Sequence, residues 1–135
     1  MSKSAIYVAN QTTQEVADNG LINPGVTIRR FGCNIHLSGT AINLSGSGYY
    51  NVDASFTVVP TEEGEITVTL YKDGVAIPGA TATETAAAAG DSVNLFISAL
   101  VREYCPCGDS SSNITFVLTD GAASITNTGI VVEKL

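Results

Sequence analysis

Apolar and polar side chains alternate with a period of two along most of the chain after residue 25. In residues 49–59 the apolar side chains take one face and the polar ones the other, which is typical of a half-buried β-strand. The positions expected to face inward are Tyr50, Val52, Ala54, Phe56 and Val58. Three further segments alternate in the same way, with inward positions at Ile66, Val68 and Leu70, at Val93, Leu95, Ile97, Ala99 and Val101, and at Ile114, Phe116 and Leu118. No segment of ten residues shows a helical period, so the pattern predicts an all-β protein.

Turn-forming sequences separate these segments at short intervals. Residues 38–39 (Ser-Gly) and 72–74 (Lys-Asp-Gly) each lie between two alternating segments and predict β-hairpins. Residues 77–79 (Ile-Pro-Gly) predict another turn, because Pro restricts φ and Gly accepts a positive φ. The Ala-rich residues 86–91 predict a connector, since the run is too short to form a helix alone. About eight to ten strands in 135 residues predict a single antiparallel β-sandwich or a closed barrel.

The first 25 residues are less periodic than the rest of the chain. We expect a first strand near residues 5–8, followed by an arm that extends to residue 25. Residues 26–135 are then expected to form the β-sandwich. The length of the chain fits one domain overall.

The composition and the apolar runs argue against two classes of function, nucleic-acid binding and membrane association. There are 13 acidic and 6 basic residues, a formal net charge of −7, which argues against nucleic-acid binding because that needs a cationic surface. No apolar run reaches the length of a membrane span, and residues 1–10 lack the profile of a signal peptide. Synthesis in the cytoplasm is therefore expected, with no membrane partner.

All three cysteines and the sole histidine lie in two short segments, Cys33-x-x-His36 and Cys105-Pro106-Cys107. Structural zinc sites use four ligands, and three cysteines with one histidine is a known set. The spacing C-x-C is unusual for zinc, and Cys33 would have to lie in a loop. Two other interpretations stay open: a disulfide from Cys33 to Cys105 or Cys107, and plain thiols with His36 facing solvent.

Two further sets of side chains are candidates for contacts with partners. Arg29 and Arg30, in an expected strand, suit docking to an acidic partner surface; the alternative is that they are charges that discourage pairing at a strand edge. Large apolar side chains on the outward faces of alternating strands suit a subunit interface, unless loops cover them. This set comprises Tyr7, Tyr49, Phe96 and Leu100.

The sequence contains few of the residue patterns that enzymes use for catalysis. His36 is the only histidine, and no G-x-S-x-G sequence or phosphate-binding glycine loop accompanies it. The carboxylates of residues 62–65 are expected at an exposed hairpin tip rather than across a cleft. No enzyme activity and no cofactor is therefore expected, apart from the zinc considered above.

The order of several short motifs resembles the jelly roll of the tumour necrosis factor and complement globular-head superfamily. These motifs are residues 5–10 (AIYVAN), the hairpin 34–44, the strand entry 47–52 (SGYYNV), the Gly-Asp step 90–91 before SVNL, and residues 129–132 (GIVV). Within the superfamily, the chain is most similar to terminal domains of collagen-like spore-surface proteins and to bacteriophage head decoration or fibre proteins. Residues 1–135 contain no collagen-like tract, so we do not expect the stalk of the former; nor do we expect the membrane anchor or secretion signal of the signalling ligands.

The resemblance implies a single antiparallel jelly-roll sandwich, a homotrimer packed through apolar and aromatic faces, and a non-enzymatic role. It leads us to expect a phage virion protein, a capsid decoration or head-fibre protein whose N-terminal arm (residues 1–25) attaches to the shell or to a neighbouring subunit. Arg29 and Arg30 are then the candidates for docking to the capsid shell. A receptor- or glycan-binding module on a phage or bacterial surface, with a host glycan as its ligand, is the alternative. A small hydrolase or lyase on a jelly roll is a third hypothesis.

Overall fold

A computed structural model describes residues 3–103 and 111–135, and within them the regular structure consists of eleven β-strands. These strands are β1 (Ala5–Asn10), β2 (Gln14–Val16), β3 (Val26–Phe31), β4 (Ile35–Ser38), β5 (Ala41–Ser45), β6 (Gly48–Pro60), β7 (Gly64–Lys72), β8 (Val75–Ala86), β9 (Val93–Glu103), β10 (Ser111–Thr119) and β11 (Ala123–Lys134). The number exceeds the expected eight to ten because β2, with three residues, is too short for alternation to reveal. No helix in the described ranges could cross a membrane.

The strands form two antiparallel sheets that pack face to face. The first sheet has the order β3-β1-β11-β6-β9, with β2 pairing to β11 beyond the end of β1. The second has the order β4-β5-β10-β7-β8. This arrangement confirms the predicted all-β jelly-roll sandwich.

The core lies between the sheets and is built from alternate residues of each strand. The five inward positions predicted on β6 are all buried, each with 5% or less of its surface exposed. Phe56 of the first sheet and Phe116 of the second meet edge to face, with ring centroids 5.2 Å apart and an interplanar angle of 62°. This geometry suits the quadrupoles of the two rings and joins the sheets at the centre of the core.

Both predicted hairpins are present, joining β4 to β5 and β7 to β8. The turn predicted at residues 77–79 is wrong, because β8 continues through them. The register of β8 against β7 shifts between Thr69 and Tyr71, so residues 77–80 form a bulge opposite Leu70. A bulge accommodates Pro78, which has no backbone N–H for the ladder, and Gly79, whose φ is 80°.

The N-terminal segment contains the expected first strand, β1, but the residues after it contribute more to the sheets than the expected arm would. β1 lies inside the first sheet between β3 and β11, and β2 extends the pairing along β11. Farther on, Leu21 bridges to Val117 of the second sheet, and the N–H of Ile22 donates to the carbonyl of Phe116 at 2.9 Å. Residues 5–22 thus contribute to both sheets. They also contribute four side chains to the core, those of Ile6, Val8, Val16 and Ile22, which are all buried.

Truncating Phe116 to alanine removes one ring of the contact between the sheets. We expect Phe116→Ala to lower the free energy of unfolding by about 3–5 kcal/mol, measured by urea denaturation. Val75→Ala, at an exposed apolar residue in the β7–β8 hairpin, is the control and should cost less than about 0.5 kcal/mol. Equal losses in the two variants would contradict this description of the core.

Candidate functional site

The outer face of the first sheet, which is turned away from the second sheet, carries most of the exposed apolar surface. Eight of the eleven large apolar side chains exposed in the described part of the chain belong to strands of this sheet. They are Tyr7, Val26, Ile28, Phe31, Tyr49, Phe96, Leu100 and Val131. Apolar surface of this extent on one face is typical of an interaction site.

Antiparallel pairing aligns the outward side chains in three rows that cross the sheet from β3 to β9. The Phe96 row contains Val26, Ala9, Gly129, Ser55 and Phe96. The Asp53 row contains Arg29, Tyr7, Val131, Asp53 and Ser98. The Leu100 row contains Phe31, Ala5, Glu133, Asn51 and Leu100.

A β-bulge determines which residues of β3 join these rows. Tyr7 pairs with Arg29 and Val8 with Thr27, so Ile28 is the extra residue. Side chains in a regular strand alternate, and Val26 and Arg29 would then point to opposite sides. The bulge at Ile28 turns both toward the outer face.

Two shallow depressions flank Tyr7 on the outer face. One, of about 390 Å³, lies toward β9, and Gly129 contributes no side chain to it. Its lining comprises Tyr7, Asp53, Ala54, Ser55, Phe96, Ile97, Ser98, Gly129 and Val131. The other, of about 310 Å³, lies toward β3 and is lined by Tyr7, Ala9, Gln11, Val26 and Ile28. The face thus offers recesses beside projecting aromatic rings.

Asp53 is the polar centre of the first depression. The Ser98 hydroxyl donates to its Oδ1 at 2.8 Å, and the Asn51 amide donates to its Oδ2 at 3.0 Å. These two hydrogen bonds fix the position of the carboxylate. Negative charge is therefore held in place within a largely apolar face.

The predicted interface residues share this face, whereas the two predicted docking residues separate. Tyr7, Tyr49, Phe96 and Leu100 are all exposed there. Arg29 points outward with Tyr7, but Arg30 pairs with the buried Ile6, and its Nε donates to the carbonyl of Ile35 at 2.7 Å. The two arginines therefore do not form one basic patch.

Charge is strongly polarised along the strands. All six Lys and Arg residues lie in the half of the sandwich where β6 begins and β11 ends, which we call the basic end. The opposite half, the acidic end, holds eight of the twelve acidic residues in the part of the chain that the structure describes. These eight are Glu15, Asp18, Glu62, Glu63, Glu65, Glu84, Asp91 and Asp120, all exposed. A partner surface would therefore meet very different potentials at the two ends.

A tyrosine closes the core at the basic end. The hydroxyl of the buried Tyr50 lies 2.8 Å from the carbonyl oxygens of both Ser45 and Gly46, to which it donates. Burial, and secondarily the Glu103 carboxylate, raises the pKa of Tyr50. The hydroxyl stays protonated and holds the β5–β6 turn against the sandwich.

The structure describes half of the predicted zinc set. Cys33 is exposed in the loop between β3 and β4, and His36 is exposed on β4 opposite Asn43. This loop is anchored by Asn34, whose N–H donates to Ser4 Oγ at 3.1 Å and whose amide donates to the Ser45 carbonyl at 2.7 Å. Cys105 and Cys107 lie outside the described residues. Within the described ranges, no group of three or more His, Cys, Asp or Glu side chains could hold a metal ion.

Sequence reasoning missed the β3 side of the outer face. Val26, Ile28 and Phe31 were not identified as exposed apolar positions, because a bulge hides the period of two. The alternation in residues 49–59 puts Asp53 on the polar, outward face of its strand, but nothing in the sequence distinguishes it from its polar neighbours. Its significance comes from Ser98, a residue of another strand.

Several solved structures share this fold at low sequence identity. Murine APRIL at pH 5.0 is similar with a TM-score of 0.74 and 10% identity, covering 99% of this chain and 100% of that one. The PRD1 vertex protein P5 has a TM-score of 0.64 and 19% identity, covering 98% and 96%. The globular domain of zebrafish complement 1qA has a TM-score of 0.67 and 10% identity, covering 97% and 94%.

These likenesses confirm, at the level of fold, the expected resemblance to the tumour necrosis factor and complement globular-head jelly rolls. No protein-family model matches the chain, and no curated protein sequence matches it.

The exposed position of Cys33 predicts that its thiol reacts freely in the native protein. We expect iodoacetamide to modify Cys33 to the same extent with and without a zinc chelator, as mapped by peptide mass spectrometry. Denatured protein is the control for complete modification. Protection that a chelator relieves would support the zinc site instead, and protection that only a reductant relieves would support a disulfide.

Proposed function

We propose that this protein is a non-enzymatic structural component of a virion, a homotrimeric decoration or head-fibre protein attached to a capsid shell. The observation that carries the proposal is the apolar outer face of the first sheet. That face is too extensive to remain in contact with water. The protein has a low density of charged residues, so charge does little to keep such an apolar surface soluble.

Self-association through the outer face explains its composition. Phe96, Val26 and Phe31 are 70%, 64% and 62% exposed in the single chain. Burying side chains of this size from water contributes about 1.5–3 kcal/mol each before the entropic costs of association. A homotrimer, which the superfamily resemblance implies, would cover the face on all three copies.

The virion setting is supported by two observations. The PRD1 vertex protein P5 shares the fold over 98% of this chain. Its sequence identity to this chain, 19%, is the highest among the three structures reported above. The resemblance to phage head decoration and fibre proteins points the same way. In this proposal the protein is localised in the virion after assembly in the host cytoplasm.

Attachment to the shell is assigned to the basic end. Since Arg29 and Arg30 face opposite sides of β3, they do not act together as a docking pair. Lys3 and Lys134 lie at this end, where β1 pairs with the last residues of β11 and the N–H of Lys134 donates to the carbonyl of Ser4. An acidic shell surface would attract this end and repel the acidic end, which fixes the orientation of the docked protein.

Shell attachment can be tested by co-sedimentation with capsids produced without this protein. Lys3→Glu combined with Lys134→Glu should weaken binding about tenfold, and raising salt from about 50 mM to about 500 mM should weaken binding of the unmodified protein. Glu62→Gln combined with Glu63→Gln at the acidic end is the matched control and should bind at least as well as the unmodified protein. Absence of capsid binding, together with binding to a glycan array, would favour the receptor- or glycan-binding alternative.

A further inference from the structure

We propose that neighbouring copies of this chain pair through a specific charged contact, Arg29 of one copy with Asp53 of the next. Two apolar contacts flank it, Val26 against Phe96 and Phe31 against Leu100. The inference rests on the proposed self-association through the outer face, and it names the residues that set the register of that association.

The two sides of the outer face carry matching patterns in the same three rows. On β3 the order along the strand is Val26, Arg29, Phe31, which is apolar, positive, apolar. On the β9 side the corresponding order is Phe96, then Asp53 with its bound Ser98, then Leu100, which is apolar, negative, apolar. Successive rows are two residues apart on β1, β11, β6 and β9, so both patterns have the same spacing of about 7 Å.

The match depends on the bulge at Ile28. In a regular β3, either Arg29 or the Val26 side chain would point away from the outer face. The extra residue brings Val26, Arg29 and Phe31 to one side, in register with Ala9, Tyr7 and Ala5 of β1. The irregularity therefore produces the pattern that complements the other side of the sheet.

Asp53 requires a cation once the face is covered. Its two hydrogen bonds come from neutral groups of its own copy and supply no positive charge. Arg29 of the same copy is three strands away, about 14 Å at the usual strand spacing, beyond the reach of an arginine side chain. Leaving a buried carboxylate without a positive partner is strongly unfavourable, so the compensating arginine must come from a second copy.

A closed ring of identical chains provides this geometry. Each contact in a cyclic trimer joins two different patches, one from each neighbour. When the symmetry axis runs along the strands, every row stays at the same height from copy to copy. The β3 side of one copy then meets the β9 side of the next, with apolar residues on apolar residues and Arg29 opposite Asp53.

Charge exchange tests the pair. Arg29→Asp and Asp53→Arg should each raise the dissociation constant of the assembly at least about tenfold, measured by sedimentation velocity at neutral pH. The double variant, which restores opposite charges, should return to within about threefold of the unmodified protein. Both positions are exposed in the single chain, and circular dichroism checks that each variant keeps the fold. If a reversal disturbs folding, Arg29→Gln and Asp53→Asn provide the same comparison, with smaller losses that do not add in the double variant.

Glu133 provides the matched control, because it is an exposed carboxylate on the same face in the Leu100 row. Glu133→Arg should not rescue Arg29→Asp, and a rescue there would overturn the assignment to Asp53. Single variants that assemble normally, or a double variant as weak as the singles, would also overturn it. An unmodified chain that stays monomeric at about 100 µM would instead contradict the proposed self-association itself.

Discussion

This structure depends on one constraint: the first sheet is apolar on both sides. Its inner side forms the core, and its outer side also carries apolar surface. The first sheet buries Tyr50, Val52 and Phe56 against the second sheet, as any sandwich must, yet its opposite side presents Tyr7, Phe96 and Phe31 to solvent. A half-buried sheet usually carries polar side chains on its free face. Here, at many positions, the side chains on both faces of the sheet are apolar. The free energy gained by removing the outer face from water drives the association that we propose.

The polar features of the molecule acquire a role in relation to that face. Asp53 is held in its depression by two hydrogen bonds, Arg29 is turned toward the face by a bulge, and the other cations lie toward one end of the strands. Apolar burial is non-directional, whereas a charged pair in a fixed row selects one register among many. The separation of charge between the two ends also orients the protein relative to an acidic surface, because that surface would repel the acidic end and attract the basic end.

Alternation along the sequence predicted the parts of the fold in which a strand is regular and its two sides differ. The inward positions of β6, β9 and β10 could be identified because the period of a pleated strand is two. The strand expected near residues 5–8 is present as β1, but the sequence did not reveal β2 in the segment expected to be an arm. Both strands are short, and their partners lie more than a hundred residues away on β11. The pattern at the predicted interface was only half visible for a related reason. A bulge breaks the period in β3, and Ser98, which holds Asp53, comes from a strand 45 residues farther along the chain.

The central claim, that the outer face of the first sheet joins copies of this chain, is tested most directly by the mass of the unmodified protein in solution. Native mass spectrometry should find a species near three times the 13.9 kDa of the single chain. That species should dissociate on dilution without unfolding of its subunits. A protein that shows only the 13.9 kDa species at about 50 µM would contradict the account.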